Sequence, residues 1–213
     1  MKKKLLKFVF IVLLCCGGLT QAVPITIQIS GNITVVAGTG RGSVPNTIHA
    51  GSTFTGTYTY DSLASDSDSS VQRGVYQYNS PYGISINLGG YEFKTAPNHT
   101  DGFKIWIRND ELTYSSLPMD RYTVGSSEIV STLPAGFETL GIGWYLTDTT
   151  HTALSSDALP TTAPVLTDWN YNSFDISCVD SLGRTIDIVG TVTPEPLTGV
   201  LLAMGAFFLR RKR

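Results

Sequence analysis

The sequence predicts an all-β domain folded as an antiparallel β-sandwich, with a barrel as the alternative. Apolar and polar residues alternate with a period of two along residues 25–29, 53–60, 103–108 and 185–192. This alternation is typical of half-buried antiparallel strands. Gly, Pro, Asn and Asp separate the alternating runs, and the body shows no amphipathic helix period. Many short strands joined by turns indicate a sandwich or a barrel.

Turn residues indicate how successive strands are connected. Gly89-Gly90 is typical of a two-residue hairpin turn. Asn109-Asp110 predicts a second hairpin between strands at residues 103–108 and 111–114, and residues 180–183 predict a third before the last strand. Residues 62–73 and 149–167 have no strand or helix period, so we expect two long loops there.

The first 22 residues have the three parts of a secretory signal peptide. Lysines occupy positions 2–4, an apolar run spans residues 5–19, and Thr20-Gln21-Ala22 provides a cleavage site after Ala22. We expect a signal helix here, followed by one secreted all-β domain at residues 23–193. An uncleaved anchor and a lipoprotein signal at Cys15 or Cys16 remain as alternatives.

The charge and cysteine content of residues 23–193 limit what this domain can be. It holds seven Lys and Arg against sixteen Asp and Glu, a formal charge of −9, whereas the whole chain carries −2. An acidic domain whose sequence shows no basic stripe argues against nucleic acid as a partner. Cys178 is its only cysteine, which excludes an internal disulfide. The alternation around Cys178 predicts a buried strand position.

The sequence offers no catalytic, metal or cofactor motif. No nucleophile elbow, phosphate-binding loop or dinucleotide fingerprint occurs, and the histidines are too far apart for metal spacing: His49, His99 and His151. Asp66 and Asp68 form a fragment of a calcium loop. However, Val71 and Gln77 stand where the EF-hand pattern needs Gly and Glu. A solvated acidic loop is the alternative. We therefore predict no catalytic residue, no metal ligand and no cofactor.

Two tryptophans are candidates for contact with a glycan. Trp106 shares a strand face with Lys104 and Arg108, opposite the apolar residues of that strand, so we expect its indole to face solvent. Trp169 lies in a segment that mixes aromatic rings with amide side chains. An exposed ring can stack on a sugar. Alternatively, Trp106 packs against a loop and Trp169 plugs an end of the sandwich.

The last twenty residues combine three features in a fixed order. They are the motif Pro194-Glu195-Pro196, an apolar segment at 197–209, and the basic end Arg210, Arg211, Lys212 and Arg213. The prolines favour an extended, accessible segment. As a helix the apolar segment is about 20 Å long, short of the ~30 Å hydrocarbon core of a bilayer. We expect a short, transient span of the inner membrane, with the basic end as a cytoplasmic membrane stop.

This tail resembles the PEP-CTERM sorting signal, and residues 51–61 resemble a stretch of secreted proteins that carry that tail. The resemblance implies removal of the tail by an exosortase-like enzyme after signal peptidase has acted. It also implies a Gram-negative bacterium that makes exopolysaccharide. A sortase signal at Pro196-Leu197-Thr198-Gly199 and a permanent tail anchor remain as alternatives.

Together these features predict an exported, non-enzymatic protein. A membrane-inserted precursor would give a mature form at the cell envelope, cell surface or extracellular matrix, associated with exopolysaccharide. Two other functions remain open. One is a carbohydrate-binding module that uses Trp106 or Trp169, and the other is a hydrolase with two facing carboxylates.

Overall fold

The computed structural model describes residues 24–112 and 117–193, so the predicted signal segment (residues 1–22) and sorting tail (residues 194–213) lie outside it. The described residues form eleven strands and two short 3-10 turns, at Arg41–Ser43 and Leu166–Asp168. The strands are β1 (Pro24–Ala37), β2 (Thr53–Asp61), β3 (Arg73–Tyr78), β4 (Gly83–Leu88), β5 (Tyr91–Thr95), β6 (Phe103–Leu112), β7 (Pro118–Ser126), β8 (Ile129–Ser131), β9 (Glu138–Asp148), β10 (Tyr171–Val179) and β11 (Thr185–Thr193).

All eleven described strands belong to one antiparallel sheet that curls into a half-barrel. Their order across the sheet is β3-β6-β7-β9-β10-β11-β1-β2-β4-β5-β8. The prediction of an all-β, antiparallel domain is confirmed. The hydrogen bonding, however, does not divide the strands into the two separate sheets of a sandwich.

Strand β1 connects the two halves of the sheet, because it pairs with β2 on one side and with β11 on the other. Its first part, Pro24 to Asn32, pairs with β2, and its second part, Ser30 to Ala37, pairs with β11. The register of the second ladder shifts between Ile33 and Val35. Such irregularities bend a strand, which lets one strand turn the corner between two packed halves.

The core forms where the inner faces of the two halves meet. Phe54 of β2 stacks on Phe174 of β10 with the ring centroids 4.3 Å apart. The hydroxyls of Tyr58 on β2 and Tyr122 on β7 are hydrogen-bonded at 3.1 Å. These strands are not neighbours in the sheet, so the residues meet only because the sheet folds over. Trp144 of β9 is 2% exposed and belongs to the same core.

The hairpin turns only partly follow the sequence prediction. Gly89 and Gly90 both have positive φ and connect β4 to β5, as predicted. The hairpin expected at Asn109-Asp110 is wrong, because β6 continues through both residues to Leu112. Asp110 takes a φ of 52° where the β6–β7 register shifts, and its N–H donates to the buried Asp120 carboxylate at 3.0 Å. A bulge therefore occupies the position of the predicted turn.

The first long loop, residues 62–73, lies along β3, an edge strand of the sheet. The Ser67 N–H donates to the Val75 carbonyl at 3.0 Å, and the Val75 N–H donates to the Asp66 carboxylate at 2.8 Å. These bonds occupy backbone groups of Val75 that an exposed edge would leave unpaired.

The second long loop, residues 149–167, is anchored by the buried carboxylate of Asp148. That carboxylate accepts hydrogen bonds from the backbone N–H groups of Thr150 at 2.9 Å and Thr152 at 2.8 Å. Burial alone would raise the pKa of Asp148, but these and neighbouring hydrogen bonds outweigh it and hold the pKa at about 2. The Tyr60 hydroxyl also donates to the Pro160 carbonyl at 2.6 Å. Both loops are therefore fixed against the sheet.

Substitution of Gly31 tests the corner at β1. A Cβ at this position would collide with the Thr191 carbonyl oxygen and lie 2.5 Å from the Phe54 ring. We expect Gly31→Ala to lower the free energy of unfolding by about 1–3 kcal/mol, measured by urea denaturation. The matched control is Gly42→Ala, since no atom lies within 4 Å of its Cβ position. Equal effects from the two substitutions would contradict the close packing of the corner.

Candidate functional site

The outer face of β6, β7, β9 and β10 carries a groove of about 480 Å³. One row of cross-strand partners runs through it from Lys104 to Gly125, Gly143 and Asp175. Three strand spacings separate the two ends of this row, a distance of about 14 Å. The groove therefore has a lysine at one end, a carboxylate at the other and glycines between them.

The glycines allow two aromatic rings to lie close to the backbone of the sheet. A Cβ on Gly125 would lie 3.1 Å from Cζ3 of Trp106, and one on Gly143 would lie 2.5 Å from Cε2 of Tyr145. Any larger residue at these positions would push the rings outward. Trp106 and Tyr145 lie in one cross-strand row, with Thr123 between them, and form the apolar part of the groove beside the row of Gly125 and Gly143.

Trp106 has the orientation that the sequence predicts. The residues on the opposite face of β6 are fully buried in the core: Phe103, Ile105 and Ile107. The indole of Trp106 lies on the outer face with Lys104 and is half-buried, because it covers Gly125. Tyr145 is 37% exposed. Both rings therefore have surface available to a ligand.

Asp175 supplies a carboxylate with an unusual environment. Burial in the groove raises its pKa to about 6; the hydrogen bond with Tyr145 lowers it, and the nearby charge of Asp187 raises it further. The Tyr145 pKa is raised as well, chiefly by burial. Asp175 can accept hydrogen bonds from ligand hydroxyls when ionised and can donate one when protonated. The groove thus combines stacking surfaces with hydrogen-bonding groups.

Trp169 does not join this site. It follows the 3-10 turn at Leu166–Asp168, is 9% exposed, and lines a separate polar cleft of about 550 Å³ beside Asp148. The Asp148 carboxylate in that cleft is already occupied by the hydrogen bonds of its own loop. Trp169 is therefore separate from the groove of Trp106.

The remaining candidates are placed apart from the groove. Asp66 accepts hydrogen bonds from the backbone N–H groups of Asp68 and Val75, and Asp68 lies 3.4 Å from Nε of Arg73. Within residues 24–112 and 117–193, no group of three or more His, Cys, Asp or Glu is arranged to hold a metal ion. Cys178 is buried in β10, as predicted, and burial raises its thiol pKa to about 11.

The predicted processing residues lie outside the described residues: Ala22, Pro194, Glu195, Pro196, Arg210, Arg211, Lys212 and Arg213. Sequence reasoning also missed Tyr145 and Asp175 as groove residues. The closely spaced glycines at 141 and 143, just before Tyr145, were the available signal. The strand order is needed to connect these glycines with Trp106, because it places β9 two strands from β6.

Comparison of the chain with protein-family models, curated proteins and solved structures gives no match. Across the described ranges, no helix has the length and apolar character needed to cross a membrane. The groove and the terminal sequence patterns are therefore the basis on which a function is proposed.

Asp175→Asn tests the electrostatics of the groove. The folded-state pKa of about 6 exceeds the ordinary value of 3.8, so ionisation of Asp175 opposes folding as the pH rises through this interval. We expect Asp175→Asn to raise the melting temperature at pH 7.5 by about 2–5 °C and to have little effect below about pH 4.

The control is Asp168→Asn, which removes an exposed carboxylate outside the groove. Thermal denaturation across the pH series makes the comparison. A wild-type protein that is more stable than Asp175→Asn at pH 7.5 would contradict the raised pKa.

Proposed function

We propose that this protein is an exported, non-enzymatic component of the cell surface or extracellular matrix, and that it binds polysaccharide through the outer-face groove. The observation that carries the proposal is the pair of partly exposed rings, Trp106 and Tyr145, lying over Gly125 and Gly143. Aromatic rings offer rigid, amphipathic contact area, and sugars present apolar ring faces that can stack on them. Asp175 and neighbouring serines supply acceptors and donors for sugar hydroxyls.

The export route in this proposal has two processing steps. Signal peptidase cleaves after Ala22, and the short apolar segment then holds the precursor in the inner membrane of a Gram-negative bacterium. An exosortase-like enzyme acts at Pro194-Glu195-Pro196. The body is compatible with this route, because β11 is the last described strand and the motif follows it directly in the sequence. Intact-mass analysis of the mature protein would find a C-terminus near residues 193–196, and retention of Arg213 would contradict the route.

A hydrolase is the second candidate, and one observation favours it. Asp175 has a pKa of about 6, which burial raises most and the charge of Asp187 on the neighbouring strand raises further. A protonated and an ionised carboxyl group near a sugar site are the requirements of glycoside hydrolysis. Release of reducing ends from a bound polysaccharide, lost in Asp175→Asn, would favour the hydrolase. Unchanged chain length of the polysaccharide would favour binding alone.

Binding to a glycan array tests the groove directly. We expect Trp106→Ala to weaken the affinity for any captured glycan by about tenfold or more, because the stacking surface is lost. Trp106→Phe retains a ring and should retain part of the binding. Melting temperatures measured alongside show whether either variant has lost its fold.

Tyr91→Ala is the matched control for this experiment. Tyr91 is a partly buried aromatic residue of β5, in the other half of the sheet, and it does not line the groove. Its substitution should leave glycan binding unchanged. Glycan binding that survives Trp106→Ala in a folded protein would exclude the groove as the binding site.

A further inference from the structure

Positive charge is concentrated on the face that carries the groove. The domain predicted at residues 23–193 has seven Lys and Arg, and the outer face of β3, β6 and β7 holds four of them: Arg73, Lys104, Arg108 and Arg121. The sequence gives no sign of this cluster, because three separate strands contribute to it. This face therefore gathers most of the domain's cations, beside the carboxylates of Glu111 and Asp175.

Three of these cations lie side by side. Arg73 pairs with Arg108 across β3 and β6, and Arg108 pairs with Arg121 across β6 and β7. Like charges at directly opposed positions of a sheet are destabilising. Glu111 lies 2.7 Å from Arg108 and 3.6 Å from Arg73, and Asp68 lies 3.4 Å from Arg73, so these carboxylates compensate two of the three arginines but not Arg121. Locally unfavourable arrangements of this kind tend to mark functional sites.

Two of these four cations have no ion pair with a carboxylate among the described residues. The guanidinium of Arg121 contacts the Met119 sulfur at 3.5 Å, and no ion pair involves Arg121 or Lys104 in the described ranges. A surface cation without a carboxylate partner is available to an external anion.

These two cations lie on either side of the aromatic row. Lys104, Trp106 and Arg108 alternate along β6, and Arg121 lies opposite Arg108. Lys104 and Arg108 are four residues apart on β6. Lys104 and Arg121 are therefore about 13 Å apart along the strand direction. Trp106 lies midway between them. The arrangement has the form cation, ring, cation along the direction of the strands.

We propose that the ligand of this groove is an anionic polysaccharide whose acidic groups pair with Lys104 and Arg121 on the two sides of Trp106. The inference rests on the proposed function and names the class of its ligand. Carboxylate and sulfate groups share the required chemistry. Asp175 lies about 14 Å from Lys104 along the groove, where it faces the uncharged hydroxyls of the polymer. Single-stranded DNA is the competing anionic polymer and serves as a further probe.

The test measures binding of protein purified from cells that express the full chain. The probes are polygalacturonate, dextran sulfate, neutral dextran and single-stranded DNA at several salt concentrations. We expect one or both charged polymers to bind at least tenfold more tightly than dextran, with affinity that falls as salt rises. The two charged polymers distinguish a carboxylate ligand from a sulfate ligand.

Two substitutions and a control locate the charge recognition. Arg121→Gln and Lys104→Gln should each weaken binding of the preferred charged polymer by about tenfold and reduce its salt dependence. Arg121→Gln also relieves the repulsion with Arg108, so its melting temperature should equal or exceed that of the wild type. Arg41→Gln removes the same charge from an exposed residue on another part of the surface and should not affect binding.

The outcomes distinguish failure of this inference from failure of the proposed polysaccharide binding. Equal affinity for dextran and the charged polymers, unaffected by Arg121→Gln, would overturn the inference and leave polysaccharide binding intact. Failure to bind any polysaccharide would overturn both. Binding of single-stranded DNA as tightly as the charged polymers would overturn the assignment of a glycan.

Discussion

The whole sheet depends on the pairing of β1 with two different neighbours. Its first half is hydrogen-bonded to β2 and its second half to β11, so this single strand connects the two sides of the molecule. The bend at β1 turns the two inner faces toward each other. Phe54 then stacks on Phe174, and Tyr58 reaches Tyr122, although neither pair lies on adjacent strands. Gly31 makes this possible because the corner has no room for a side chain.

The same curvature separates the chemistry of the two faces. The inner face takes up the large apolar residues, whereas the outer face of β3, β6, β7, β9 and β10 carries two aromatic rings, a partly buried carboxylate and a group of cations. Two of these features oppose folding: ionised Asp175 lies in a desolvated groove, and Arg121 lies opposite Arg108 with no carboxylate partner among the described residues. Both occur on the surface that carries Trp106. Their proximity is more simply explained by a ligand than by the needs of the fold.

Sequence alone predicts the features that depend on local periodicity. The alternation along β6 places Trp106 outside and Ile105 inside, and the glycine pair at 89 and 90 sets the β4–β5 turn. It does not predict strand order, because pairing between distant strands leaves no local pattern. Tyr145 and Asp175 therefore could not be assigned to the groove of Trp106. The error at Asn109-Asp110 has the same origin, since Asp120 on another strand stabilises a bulge there.

The indole N–H signals in an NMR titration with the preferred polysaccharide test the central claim most directly. The chain has three tryptophans, and each gives one such signal. Trp106→Phe assigns the signal of Trp106, while Trp144 and Trp169 are 2% and 9% exposed. The account predicts that the Trp106 signal shifts with saturation and that the other two stay in place. Saturable binding that shifts Trp169 instead, or that leaves Trp106 unaffected, would contradict it.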